Sequence, residues 1–507
     1  MLFNSYIFIL CFLPLTLFLY YGCNHFSRHT AAKVVLVVMS LWFYAYFHVS
    51  YLFILLASIL GNYSISILIR KLQQRDALCG EAAADSEKTE QKSGGRTLSR
   101  ICLAGGIALN VGIIFYYKYF HFFLENLNHI FGCDLSYHSI LMPLGISFFT
   151  FQQISYLVDC YRQEIAVCSL SDYLLFVTFF PQLIAGPIVT CEEMLPQFEA
   201  EKSRCFRQEN LAKGLYFFAV GMGKKVLLAD LLGRGADWGF ARPASLSGAE
   251  TLVISLLYTF QLYFDFSGYC DMAYGIASMF GIELPMNFDS PYQAVSIVDF
   301  WKRWHITLNR FLRKYIYFPL GGSRKGKVRT CLNILIVFLV SGIWHGANWT
   351  FILWGVLHGL AQVIYRIFSG WFDRLPKWLG RFFTFCFVNL AWMLFRADSV
   401  TDFGAMLNNL IQWRPGGLSG ELFSCFDVIE FTYLAEHIGP LGRLWNKVPG
   451  ICLGTALLLA AGIVFFTKNS YRKELQCNGR TAAKSIILLV WSILSLSGLS
   501  VFLYFNF

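Results

Sequence analysis

Long apolar runs recur along the chain, at about 5–21, 31–47, 51–69, 101–120, 138–158, 250–282, 331–365, 379–396, 449–467 and 483–505. A helix needs about 20 apolar residues to cross a bilayer. The pattern therefore predicts an all-α chain threaded repeatedly through a membrane. The run 331–365 is too long for one upright helix at about 1.5 Å rise per residue. Gly342, Gly346 and Asn348 sit near its middle and predict a break there. Residues 173–190 and 210–232 are shorter or more polar, and read as re-entrant or partly buried segments. Such backbone survives at membrane depth only where protein or a water-filled cavity satisfies it.

Composition agrees with a chain solvated by lipid. Apolar residues make up 56%, aromatic residues 18% and charged residues only 14%, against about a quarter charged in soluble proteins. No long polar stretch divides the sequence, so residues 1–507 are expected to form a single membrane domain. Its net charge of +10 fits basic cytoplasmic loops and anionic headgroups better than nucleic acid. The 15 cysteines are scattered without a C-x-x-C pair, which argues against zinc ribbons and thioredoxin-type chemistry. The residues Met1 to Ser5 lack a basic stretch, so 5–21 reads as a retained helix rather than a signal peptide.

Basic residues orient the chain. Arg70, Lys71, Arg75, Lys88, Lys92, Arg96 and Arg100 mark a cytoplasmic loop, expected to be flexible over about 72–100. The link His48-Val49-Ser50 has no Lys or Arg and is expected outside, as is the N-terminus. The most basic segment is 302–329, with Lys302, Arg303, Arg310, Arg313, Lys314, Arg324, Lys325, Lys327 and Arg329 and no acidic neighbour. It is expected on the cytoplasmic side.

Within Asp299–Tyr317, a single continuous helix would put Trp301, Trp304, His305, Leu308, Phe311, Leu312 and Tyr315 on one face. The basic residues would fall on the other, as in an amphipathic interfacial helix. His305 then points into the protein, either as a core histidine bonded to backbone or as part of a site. From Cys331 to His345 a helix would rise about 20 Å. That sets His345 well inside the hydrocarbon layer, where ionisable residues are costly and often functional. A neutral imidazole there keeps a nitrogen able to take a hydroxyl proton; a role bridging two helices is the alternative. Gly342 and Gly346 would allow close approach, and Trp344 and Trp349 would wall a cavity. His358 falls about 220° further round a continuous helix and reads as structural. Asp265 and Asp271 lie about 240° apart, so they are not paired on one face. They and Asp159 are expected to meet hydroxyls, backbone N–H groups or basic side chains. No phosphate loop, metal-ligand motif or nucleophile elbow is evident.

Five ordered blocks add a resemblance. These are PLGISFFTFQQISYLVDCYR (143–162), FFPQLIAGPI (179–188), YTFQLYFDFSGYCDMAYGIASMFGIELPMNF (258–288), DFWKRWHITLNRFLRKYIYFPLGG (299–322) and SGIWHGANWTFILWGVLHG (341–359). WMLFRAD (392–398) adds a weaker match. Together they resemble the membrane-bound O-acyltransferase family, in its bacterial alginate O-acetylase branch. The resemblance implies about 11–13 helices around a central tunnel, with interfacial and re-entrant helices. The catalytic core would be about 140–400, and C-terminal membrane helices would fill about 401–507. It implies His345 as the essential catalytic histidine and His305 as the second one. Asn348, Trp344, Tyr263, Asp265 and Arg303 complete the expected substrate-binding set, with Asn348 or Tyr263 as candidate oxyanion donors. No tightly bound cofactor or metal is implied. The donor would be a cytoplasmic acyl thioester, acetyl-CoA or an acyl carrier protein, with the basic residues of 302–329 holding a nucleotide phosphate or the acidic carrier.

On the far side, a polysaccharide hydroxyl would be the acceptor, with an extracytoplasmic acetyltransferase partner relaying the acyl group. Membrane lipids are the remaining partner, in a multi-pass protein of the bacterial cell membrane. D-alanyl transfer to teichoic acid is a close alternative. A polymer transporter using Asp265, Asp271 and Asp159 as a proton path is a more distant one.

Overall fold

The computed structural model describes residues 1–84, 94–135, 140–427, 433, 437–439, 448, 450–472, 478–496 and 500–503. Among them the chain is helical, and the only extended pairing is an isolated bridge between Phe288 and Trp304. Phe8–His25, Val49–Leu78, Gly95–Phe131, Gly326–His345, Trp349–Ile367 and Lys377–Arg396 are long and apolar enough to span a bilayer. His29–Ala45 and Ile451–Phe466 are shorter apolar helices. The all-α polytopic class expected from the apolar runs therefore holds. The chain forms two compact units, Met1–Leu215 with Ala273–Pro285, and Tyr216–Met272 with Met286–Phe507.

In the first unit, polar side chains join the helices Val49–Ala84, Gly94–Ile114 and Ile146–Tyr161. Asn62 and Asn110 exchange side-chain hydrogen bonds of 3.2 and 2.6 Å. Gln153 accepts from Ser58 at 3.1 Å and also from Asn62. Amides that would be stranded in hydrocarbon thus find one another. Elsewhere in this unit, Lys33 pairs with Asp172 at 2.8 Å.

One expectation needs correction here. Of the segment 72–100 read as a flexible loop, helix Val49–Ala84 takes in 72–84 and helix Gly94–Ile114 takes in 94–100. Gln73 to Ala84 holds two Gln and four Ala, which are good helix formers, so the helix continues past its apolar stretch. The centre of that segment, 85–93, lies outside the described residues.

The second unit contains the break expected in 331–365. Helix Gly326–His345 ends at Gly346, which is extended, and Trp349–Ile367 begins after it. The two helices pack backbone to backbone. A Cβ on Gly342 would lie 2.4 Å from the Phe351 carbonyl oxygen, and one on Gly355 would lie 2.5 Å from that of Phe338. Only glycine permits this approach.

A second correction concerns 299–317. The segment is not one helix. Ile297–Arg303 stops, Trp304 is extended, and His305 takes a left-handed conformation (φ 45°, ψ 54°) before Ile306–Leu312 begins. The preceding strand-like segment causes the interruption. Asp289 N donates to Arg303 O at 2.9 Å, and Ile306 N donates to Asn287 O at 3.0 Å. These two bonds pull the backbone out of helical register. A non-glycine residue held left-handed costs on the order of 1–3 kcal/mol, which the flanking bonds and burial offset.

Candidate functional site

His345 is the last residue of its helix, placed there by the Gly346 break. It is 5% exposed. Its ring meets Trp354 edge-on at 5.1 Å, Phe395 at 5.2 Å and Trp344 at 4.9 Å. Trp344 reaches His305 on its other side, at 6.2 Å between ring centres. The two candidate histidines are therefore linked through one indole.

His305 is buried, and Phe266 packs edge-on against it at 4.9 Å. Burial pushes its pKa from 6.5 down to about 3, so the ring is neutral at physiological pH. Asn287 orients it. The Asn287 Oδ1 accepts from Thr307 N at 3.2 Å and from Thr307 Oγ1 at 3.0 Å. The same oxygen lies 3.2 Å from His305 Nδ1. An oxygen that only accepts requires the proton on Nδ1, which puts the ring's lone pair on Nε2. Asn287 Nδ2 donates to Cys270 Sγ at 3.5 Å, consistent with this orientation.

His358 stands beside the same cluster. It accepts from Trp301 Nε1 at 3.1 Å and packs on Trp354 at 4.7 Å. Helical spacing alone did not bring it near His345, but the reversal at Gly346 does, through Trp354.

A cavity of about 1510 Å³ opens next to this cluster, lined by Asn348, Thr350, Phe351 and Phe395 among others. Phe395 touches the His345 ring and also lines the cavity. Asn348 caps the Trp349–Ile367 helix: its Oδ1 accepts from Thr350 N at 3.1 Å, and its Nδ2 donates to Asp398 O at 2.8 Å. Trp349, expected to wall a cavity, is instead 52% exposed.

The remaining candidates separate. Asp265 lines the cavity but is paired with Lys225 at 2.7 Å. Asp271 pairs with Lys224 at 2.7 Å. These lysines were not singled out from sequence. They are adjacent in the π-helical stretch Gly223–Ala229, so they project in different directions. Asp265 and Asp271 likewise diverge around their own helix, and each lysine meets one carboxylate. Lys225 also pairs with Asp230 at 2.9 Å and donates to Val501 O at 3.1 Å. Asp265 accepts from Leu503 N at 2.9 Å, and Asp230 from Ser500 Oγ at 2.6 Å. The ion cluster thus holds residues 500–503 against the cavity.

Tyr263 is buried between Trp304, at 6.5 Å, and Tyr292, at 5.6 Å, with Lys224 over its ring at 5.8 Å. Arg303 bonds to Asp299 at 2.8 Å, one helical turn away. Asp159 is buried in the first unit. Among the described residues, Lys302, Arg313, Arg324, Lys325, Lys327 and Arg329 have no carboxylate partner, which leaves a cationic surface beside the His305 segment.

Membrane-crossing helices with a histidine buried at the break between two of them define an integral membrane protein with one candidate site. The pattern of the MBOAT, membrane-bound O-acyltransferase family matches residues 138–403, and the chain belongs to this family. It is 37% identical to the peptidoglycan O-acetyltransferase of Helicobacter pylori, over 100% of this chain and 98% of that protein. It is 34% identical to the probable alginate O-acetylase AlgI of Pseudomonas putida, over the whole of both. The teichoic acid D-alanyltransferase of Streptococcus thermophilus is more distant, 29% identical over 51% of this chain and 69% of its own. The protein is a multi-pass acyltransferase of the bacterial inner membrane and uses an acyl donor.

Proposed function

We propose that this enzyme transfers an acetyl group from a cytoplasmic thioester toward hydroxyls of an extracellular or cell-wall glycan. His345 is the general base. The observation carrying this reading is the position of His345 at the Gly346 break, walled by Trp344, Trp354 and Phe395, with Phe395 shared by a large cavity. His345 takes the acceptor's hydroxyl proton as that oxygen attacks the thioester carbonyl. The tetrahedral intermediate then collapses, the C–S bond breaks, and the imidazolium returns the proton to the leaving thiolate.

His305 acts from the donor side through Nε2, whose lone pair Asn287 fixes. The unpaired cations Lys302, Arg313, Arg324, Lys325, Lys327 and Arg329 suit a nucleotide phosphate or an acidic acyl carrier protein. An extracytoplasmic acetyltransferase partner would carry the group to its polymer. Similarity to O-acetylases over the whole chain favours acetyl over D-alanyl transfer.

The test follows labelled acyl release from acetyl-CoA and from acetyl-loaded carrier protein, with purified enzyme in lipid nanodiscs. His345→Ala is expected to lose about a hundred- to ten-thousand-fold, the usual range for a general base. Equal turnover in the variant and the parent would remove His345 from this role. Turnover with a D-alanyl donor alone would transfer the reading to the teichoic acid reaction.

A further inference from the structure

Trp354, His358 and Gln362 recur every four residues along helix Trp349–Ile367, so they share one face. Opposite them runs helix Ile297–Arg303. Gln362 Nε2 donates to Ile297 O at 3.2 Å, and Trp301 Nε1 donates to His358 Nδ1 at 3.1 Å. Ile297 and Trp301 are also four residues apart, so the two bonds are rungs one turn apart on each helix. Trp301 is tied in turn to the segment that follows it. Asn309 Nδ2 donates to Trp301 O at 2.7 Å and to Trp304 O at 2.9 Å. Asn309 lies beyond the kink at His305, so Trp301, the kink and the start of helix Ile306–Leu312 are held as one piece. At the end of the ladder Trp354 stands 5.7 Å from Trp301 and edge-on to His345 at 5.1 Å.

The tautomer of His358 follows from its partner. An indole N–H only donates, so His358 Nδ1 holds a lone pair and the ring carries its proton on Nε2. That second nitrogen is buried and has no hydrogen-bond partner among the described residues. Aromatic rings surround it, with Trp354 at 4.7 Å, Phe387 at 5.3 Å and Phe338 at 6.3 Å between centres. A buried donor left unmatched lowers stability. Apolar side chains at both 301 and 358 would fill this space with no unmatched group. A polar pair that is costlier than its apolar replacement points to a role in geometry.

We propose that His358 is a positioning residue for acyl transfer. By accepting from Trp301 it latches the segment that carries His305 to the helix whose Trp354 walls His345. The latch fixes the spacing between the two histidines, which Trp344 bridges at 6.2 Å from His305 and 4.9 Å from His345. His358 touches neither substrate nor reacting atoms in this role, and no proton passes through it. The role rests on the acyl-transfer reading above.

Acyl release from acetyl thioester donors by the full chain in nanodiscs tests it, with kcat, KM and melting temperature measured for each variant. His358→Leu is expected to lower kcat per folded molecule about tenfold at unchanged KM for the donor. Its melting temperature should stay close to the parent's. Leucine has a similar volume, and the change exchanges one unmatched donor, His358 Nε2, for another, Trp301 Nε1. Trp301→Phe should lower kcat to a similar extent, and the double variant should be no slower than the slower single, because both remove the same bond. His358→Asn places its side-chain oxygen near the position of Nδ1 and should restore most of kcat. Parental kcat per folded molecule in His358→Leu overturns the proposal and makes His358 structural, whatever happens to the melting temperature. Losses that add in the double variant overturn it too, as does a His358→Asn no faster than His358→Leu. His345→Ala is assayed alongside. Its loss of turnover with parental kcat in His358→Leu removes this proposal alone. Full turnover in His345→Ala removes the acyl-transfer reading and this role with it.

Discussion

Gly342 and Gly355 lie so close that a Cβ built on either falls 3.0 Å from the other's Cα. This contact seats helix Trp349–Ile367 against the helix that ends in His345. Gly342→Ala would drive its methyl group to 2.4 Å from the Phe351 carbonyl oxygen. Backbone cannot yield as a flexible side chain can, so the helices must separate. Overpacking of this kind typically costs about 1–3 kcal/mol. The expected outcome is a lower melting temperature in detergent together with reduced acyl transfer. Gly370→Ala, where no atom lies within 4 Å of the new Cβ, should change neither.

Asn287 controls which nitrogen of His305 carries the proton, because its Oδ1 already serves Thr307 twice. Replacing it with leucine removes the orienting acceptor and should lower kcat at least tenfold. Part of that fall could reflect packing, so thermal unfolding is measured alongside. A purely structural role predicts that activity per folded molecule is unchanged in Asn287→Leu. His305→Ala gives the complementary check: full activity with normal expression would make His305 structural.

Much of this arrangement was legible in the sequence, for identifiable reasons. The length of the run 331–365 and its central glycines foretold the break that ends the helix at His345. Apolar run length located the six helices long enough to span, but among the described residues the runs 138–158, 250–282 and 483–505 gave no such helix. The kink at Trp304–His305 was not legible, since the bonds that create it come from Asn287 and Asp289, which helical periodicity within 299–317 cannot register. The lysine partners of Asp265 and Asp271 were hidden for the same reason: the contacts join segments about 40 residues apart. A sequence signal did exist, because two consecutive lysines in the otherwise apolar stretch 215–229 call for buried counter-ions. His358 read as remote from His345 only while the helix was imagined continuous.

The depressed pKa of His305 makes a pH prediction with a definite sign. In the folded protein burial holds its pKa at about 3, against 6.5 for an exposed imidazole. Between those values the unfolded chain binds a proton that the folded chain does not. Stability contributed by keeping His305 neutral is therefore complete above 6.5 and declines as pH falls toward 3. His305→Gln removes this term. The gap in melting temperature between parent and variant should shrink as pH drops from 7.5 to 4.5, measured in one detergent at constant ionic strength. A gap independent of pH would mean that His305 is not held neutral by burial.

Lys225 and Asp265 are each 2% exposed, bonded at 2.7 Å, and together hold residues 500–503 through Val501 O and Leu503 N. Removing one member of a buried pair strands the other charge, at a typical cost of about 3–5 kcal/mol. Lys225→Met strands Asp265 and also Asp230, which lies 2.9 Å from Lys225. Asp265→Asn leaves Lys225 that second carboxylate. Lys225→Met should therefore destabilise more than Asp265→Asn, and the double variant Lys225→Met/Asp265→Leu should recover part of the loss. The same variants should release the 500–503 segment, read as faster hydrogen exchange at Leu503 N, whose bond to Asp265 is lost. Additive destabilisation in the double variant, with unchanged exchange at Leu503, would mean that the pair neither couples nor anchors the segment.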